Sequence, residues 1–145
     1  FDADSCISFN EVLNDSLSLY SDIFIYKEIS VTMKDEGEFA VHMNEQLSSV
    51  LVNNLIKNAF VHSAAGSEVT VAVGQHGFAV SNSGTSPLDA EMLFRRFYLP
   101  SGRREGSTGL GLALAHAVCS HSGLDISYSY SGNMHTFAVI LKKSK

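Results

Sequence analysis

Asn54 and Asn58 stand four residues apart within Asn44–Ser63 (NEQLSSVLVNNLIKNAFVHS), a stretch whose apolar residues recur at helical spacing. Leu47, Val50, Leu51, Leu55 and Ala59 share one face of that helix, and both asparagines fall inside the apolar arc. An amide buried without a hydrogen bond costs ~1–3 kcal/mol. Two of them on a core-facing side therefore need partners, from a neighbouring element or from a ligand. Further along, Gly106-Ser107-Thr108-Gly109-Leu110-Gly111-Leu112 places small residues at a loop-to-helix transition. Glycine lets a ligand approach the backbone closely. A helix start offers unpaired N–H groups and roughly half a positive charge, which suits a phosphate. No lysine followed by Ser or Thr comes after the glycines, so this is no P-loop. Leu114 stands where a dinucleotide fingerprint has its third glycine.

The elements that must position these residues follow from periodicity. Residues 1–8 are expected to be a linker or tail, and 9–145 a single domain. Val12, Leu13, Leu17, Tyr20 and Phe24 predict an amphipathic helix over 9–26. Short strands are expected at 28–34 and 38–42 around Asp35-Glu36-Gly37, before the asparagine helix with Asn44 as N-cap. A hairpin over 68–73 and 77–81 leads to the irregular run 82–87. A short helix is expected over 88–98 and a mobile loop over 99–108. The glycine-started helix then runs over 109–121, and closing strands lie at 124–130 and 135–141. This order predicts a two-layer α/β sandwich, its mixed, mainly antiparallel sheet covered by helices on one face.

Composition narrows the function. With 145 residues, 45% hydrophobic and 17% charged, the chain has the make-up of one globular domain. A net charge of -5 argues against a general nucleic-acid binder. Cys6 and Cys119 have no metal or redox spacing, so a reduced, intracellular domain is expected. No apolar run is long enough to span a bilayer. The domain is expected to be cytoplasmic and to make no membrane contact, with any inner-membrane anchor of a parent protein outside this chain.

Asn54–Asn58 in NNLIKNA, SNSG at 81–84, FRRFY at 94–98 and GLGLAL at 109–114, in that order, resemble the ATP-binding catalytic domain of sensor histidine kinases. That family shares a superfamily with DNA gyrase, the heat-shock chaperone ATPase and the mismatch-repair protein MutL. The resemblance implies ATP and Mg²⁺ as cofactors, with the Asn58 amide oxygen on the metal and Asn54 supporting the phosphates one turn earlier. It implies that Thr108, Gly109, Leu110, Gly111 and Leu112 wrap the phosphates, and that Asn82 and Gly84 face the adenine, helped by Thr136. Phe94, Phe97 and Tyr98 would form the base of the lid. Arg96, with Arg103 or Arg104, would supply compensating charge.

Two departures bear on activity. The superfamily's ATPases place a water-activating glutamate one turn before the metal-binding asparagine, where this chain has Asn54. An amide is no general base, and losing one forfeits about 10²–10⁴-fold in rate. Hydrolysis should be poor, as suits a kinase that holds ATP for an incoming side chain. None of the six histidines lies in the family's phosphoacceptor pattern. The partners implied are therefore a helical dimerisation and phosphoacceptor domain and, through the parent protein, a response regulator. A catalytically silent nucleotide-binding regulatory module is the alternative.

The second departure is at the adenine motif. Asn82-Ser83-Gly84-Thr85-Ser86 replaces the family's Asp-x-Gly-x-Gly. Adenine's amino group would meet a neutral acceptor, worth ~0.5–1.5 rather than ~1.5–3 kcal/mol. An amide can also turn and donate to guanine O6. We predict that Asn82→Asp prefers ATP over GTP more strongly than the native chain does, in competition binding. Equal or stronger preference in the native chain contradicts this.

Overall fold

The computed structural model describes residues 4–61, 63–84, 87–88, 93–94 and 111–142. Residues 5–8 are not a tail. Ser5–Ser8 forms β1, which pairs antiparallel with β3 (Ala40–Met43) in a two-stranded sheet. Only Ile7 of that strand is buried, so the sequence offers too little alternation to announce it.

The helix expected over 9–26 is two. α1 (Phe9–Leu19) ends at Tyr20 and α2 (Ser21–Tyr26) restarts at once. Ser21 Oγ donates to the Ser18 carbonyl at 3.0 Å, the local competition by which serine interrupts helices. Asn10 ties α1 to the chain before β3. Its Nδ2 donates to Asp35 Oδ1 (3.0 Å) and the Gly37 carbonyl (2.8 Å), and its Oδ1 accepts from the Phe39 N–H (3.0 Å). Beside it the Phe9 ring stacks on Phe39 and Phe78, with centroids 5.4 and 5.1 Å apart.

β2 (Ser30–Asp35), β4 (Glu68–Gly74), β5 (Gly77–Ser83), β6 (Leu124–Ser131) and β7 (Met134–Leu141) form the main sheet, in the order β2-β4-β5-β7-β6. β2 runs parallel to β4 and the remaining pairs are antiparallel. The strands near 28–34 and 38–42 thus enter different sheets. Gly132 and Asn133, both at positive φ (57° and 61°), make the tight β6–β7 turn.

Burial alternates along β4, β5 and β7, so Val69, Val71, Val73, Phe78, Val80, Phe137 and Val139 line one face. That face is covered by α1, α3 (Glu45–Val61) and α4 (Gly111–His121), which bury Leu13, Leu51, Leu55, Ile56, Ala115 and Val118 in one core. The opposite face carries small residues such as Thr70, Ser81, Ser127 and Thr136. The fold is the expected two-layer α/β sandwich.

Candidate nucleotide site between α3, α4 and the end of β5

Helix α3 is well started and uninterrupted. Asn44 Oδ1 accepts the Leu47 N–H at 3.0 Å, an N-cap bond. Glu45 in the first turn complements the helix dipole. Its buried stripe is Ser48, Leu51, Val52, Leu55, Ile56, Ala59 and Phe60. Asn54 and Asn58 therefore sit at the edge of the stripe, half-buried, rather than inside it as expected.

That edge faces the start of α4. Asn54 Nδ2 donates to the Val50 carbonyl one turn back, at 2.8 Å, which fixes the amide and leaves its oxygen pointing away. A Cβ added to Gly111 would lie 3.2 Å from Asn54 Oδ1. Glycine at this helix start thus lets the amide oxygen approach the backbone closely. Asn58, one turn on, makes no hydrogen bond among the described residues. Its amide oxygen is the kind of hard donor that Mg²⁺ takes alongside phosphate oxygens and water. Leu112 packs against the core behind this start. Arg96, Thr108, Gly109 and Leu110 lie outside the described residues, as do His62, Phe97, Tyr98, Arg103 and Arg104. Phe94 is described: its ring packs edge-on to Phe137 (6.2 Å) and tilted over His116 (5.4 Å).

β5 continues through Ser83, past the limit expected from sequence. Asn82 is 3% exposed and lies on the helix-covered face in line with Phe78 and Val80. Gly84 is held by three groups of the β6–β7 hairpin. Its N–H donates to the Asn133 carbonyl (2.9 Å), Tyr130 OH donates to its carbonyl (3.0 Å), and a Cβ on Gly84 would overlap the His135 ring.

Thr136 is not brought together with Asn82. It pairs with Ser81 across β5–β7, and the two hydroxyls hydrogen-bond at 2.8 Å on the opposite sheet face. The partner of Asn82 in that ladder is His135, which sequence reasoning passed over. The signal was available: Phe137 and Val139 face inward, so period two places residue 135 inward and 136 outward.

His135 belongs to a short relay. Tyr128 OH accepts the Leu88 N–H (2.9 Å) and shares a hydrogen bond with His135 Nδ1 (2.7 Å). Burial raises the Tyr128 phenol, keeping a proton to donate, and lowers His135, favouring the neutral ring. Cys119, buried in α4, is pushed up to about 12 by burial and then by the Asp125 carboxylate. Its thiol is a core group rather than a nucleophile.

The sequence matches the family described as histidine kinase-, DNA gyrase B-, and HSP90-like ATPase over residues 43–145. The sensor-like histidine kinase SenX3 of Mycolicibacterium smegmatis is 27% identical over 143 residues, covering 92% of this chain and 37% of that protein. The sensor histidine kinase RppB of Synechocystis is 30% identical over 119 residues, covering 75% of this chain and 26% of its own length. The chain therefore spans well under half of these relatives. Among solved structures, the catalytic domain of histidine kinase ThkA superposes with a TM-score of 0.86 at 17% identity, covering 98% of this chain and 97% of that one. The mycobacterial sensor histidine kinase MprB gives 0.80 at 20%, covering 94% and 97%.

The lowered His135 value gives a testable sign. The unfolded ring takes up a proton near its ordinary value of about 6.5, whereas the folded ring resists until lower pH. Its contribution to stability is complete above that ordinary value and is lost as pH falls through the folded value. Urea midpoints of the native chain should drop between about pH 7 and 5 more steeply than those of His135→Phe. Parallel profiles contradict this.

Proposed function

The chain belongs to the histidine kinase-, DNA gyrase B- and HSP90-like ATPases, and we propose that it is the ATP-binding catalytic domain of a two-component sensor histidine kinase. In this role it holds Mg-ATP while the γ-phosphoryl group passes to a histidine on a separate helical dimerisation domain. The observation that carries the reading is the meeting of the Asn54 amide oxygen with Gly111 at the start of α4. It joins the asparagine helix to a helix N-terminus suited to phosphate.

Phosphoryl transfer needs positioning and charge compensation more than covalent chemistry from the protein. The free amide of Asn58 fits a metal-holding role, and Mg²⁺ bound there with the phosphates would neutralise charge on the transferring group. The N–H groups at the start of α4 would orient the phosphates, and the anion-binding end of the dipole favours them. Thr108, Gly109 and Leu110 would extend that cradle, with Leu112 anchoring it and Arg96 adding charge.

Asn54 cannot serve as a general base. Its Nδ2 is committed to the Val50 carbonyl, so the amide is a fixed dipole. Water beside the γ-phosphate would find no base at residue 54 to take its proton, and ATP would persist until an imidazole arrives. At the base end, Asn82 would meet the purine, with Gly84 setting the wall behind it. Thr136, on the far face, would act only through Ser81. A response regulator would then take the phosphoryl group from the parent kinase. A solved ThkA structure holds a kinase in complex with the response regulator TrrA, an assembly of that protein that supports the same partner class here. No helix of the described residues is long and apolar enough to cross a membrane, which fits a domain working at the cytoplasmic side of its parent.

The test is calorimetric titration with a non-hydrolysable ATP analogue, with and without Mg²⁺. The native chain should bind more tightly with Mg²⁺. Asn58→Ala should lose roughly tenfold or more of that Mg²⁺-dependent affinity, on the scale of a charge-assisted contact of ~1.5–3 kcal/mol. Equal Mg²⁺ dependence in the two proteins would remove Asn58 from the metal site.

A further inference from the structure

β6 changes character along its length. Burial alternates along the strand, and its inward residues are Leu124, Ile126, Tyr128 and Tyr130. The aliphatic pair gives way to tyrosines where β6 comes level with the last residues of β5. Tyr128 lies in line with Phe137 and Val80, and Tyr130 with His135 and Asn82. An apolar wall needs no hydroxyl there, and a hydroxyl on an inward face must find a partner.

Both hydroxyls find one on the backbone of the chain that leaves β5. Tyr130 OH donates to the Gly84 carbonyl at 3.0 Å, and Tyr128 OH accepts the Leu88 N–H at 2.9 Å. Past the end of a strand the backbone loses its ladder and needs other partners. The Gly84 N–H is held as well, by the Asn133 carbonyl at 2.9 Å, one residue beyond the β5–β7 ladder. Within their own hairpin the two hydroxyls also lie 3.2 Å from Asn133 Oδ1 and 2.7 Å from His135 Nδ1, so each is steadied before it reaches across.

The rings add a stop. His135 packs against both tyrosines, with centroids 5.8 Å from Tyr128 and 5.1 Å from Tyr130. A Cβ on Gly84 would already overlap the imidazole. The ring keeps Gly84 from moving closer to the hairpin, and the hydroxyls keep the chain from moving away.

We propose that Tyr128 and Tyr130 are positioning residues for nucleotide binding, whose hydroxyls set the chain leaving β5 at Gly84 and Leu88 before the nucleotide arrives. The inference rests on the nucleotide-binding reading above, which puts Gly84 beside the base, and adds what holds Gly84 there. Each tyrosine acts through backbone. A wall that is ordered beforehand spares the ligand the entropy of ordering it. The ring of each residue belongs to the core, and the hydroxyl belongs to the site. Phenylalanine separates the two roles.

The test compares the full native chain with Tyr128→Phe, Tyr130→Phe, the double variant and Tyr26→Phe, a control on a residue that is 88% exposed on α2. Each is titrated in Mg²⁺ with a non-hydrolysable ATP analogue and with inorganic tripolyphosphate, and amide exchange is followed by NMR without ligand. Each single variant should bind the ATP analogue about threefold to tenfold more weakly, the double variant more weakly still, and all should bind tripolyphosphate as the native chain does. In Tyr128→Phe the Leu88 amide should exchange about tenfold faster or more. Tyr26→Phe should match the native chain throughout. Parallel loss of both ligands would make the tyrosines merely stabilising and overturn the inference. Native-like ATP affinity in the double variant overturns it too, while leaving the nucleotide-binding reading intact. If the native chain itself binds the ATP analogue no better than tripolyphosphate, or binds neither, the reading of a base site fails first and this inference with it.

Discussion

The packing of α3 against α4 is the constraint on which the rest depends. The helices come from different parts of the chain, yet Gly111 at the first turn of α4 sits against the Asn54 amide. Apolar contacts alone would hold the pair together through Leu51, Leu55, Ala115 and Val118. The amide adds a polar group at the margin of that seam, where desolvation makes an unpaired group expensive. Asn54 meets this demand by donating one turn back. Its oxygen, and the whole Asn58 amide, are left available at a helix N-terminus. Stability and site formation are thus two aspects of one contact.

The sheet supplies the other wall. Its inner face is apolar from Val73 and Phe78 through Val71, Val80 and Phe137, then turns polar at Asn82 and His135. The change occurs where β5 ends and the β6–β7 hairpin reaches over Gly84 through Asn133, Tyr130 and His135. A purine placed there would lie beside apolar surface with its edge toward the polar pair.

Much of this was legible in the residues. The helical period of 44–63, the capping asparagine and the glycine-started helix gave α3 and α4 nearly to the residue, because caps and breakers act locally. Strand pairing was not legible. β1 has one buried residue, and β2 and β3 look like a hairpin in sequence but enter different sheets, since long-range pairing leaves no local mark. The division of α1 from α2 falls at Tyr20, where no Gly or Pro announces it. At the site, family resemblance drew attention to Thr136, one position from the inward-facing His135. A slip of one residue reverses the face of a strand, and only the register with Asn82 and Ser81 resolves it.

The most direct measurement is a crystal structure of this chain with Mg²⁺ and a non-hydrolysable ATP analogue. The account predicts the triphosphate between Asn58 and the first turn of α4, with the purine at Asn82 and Gly84. A nucleotide seated elsewhere, with the seam between Asn54 and Gly111 untouched, would contradict it.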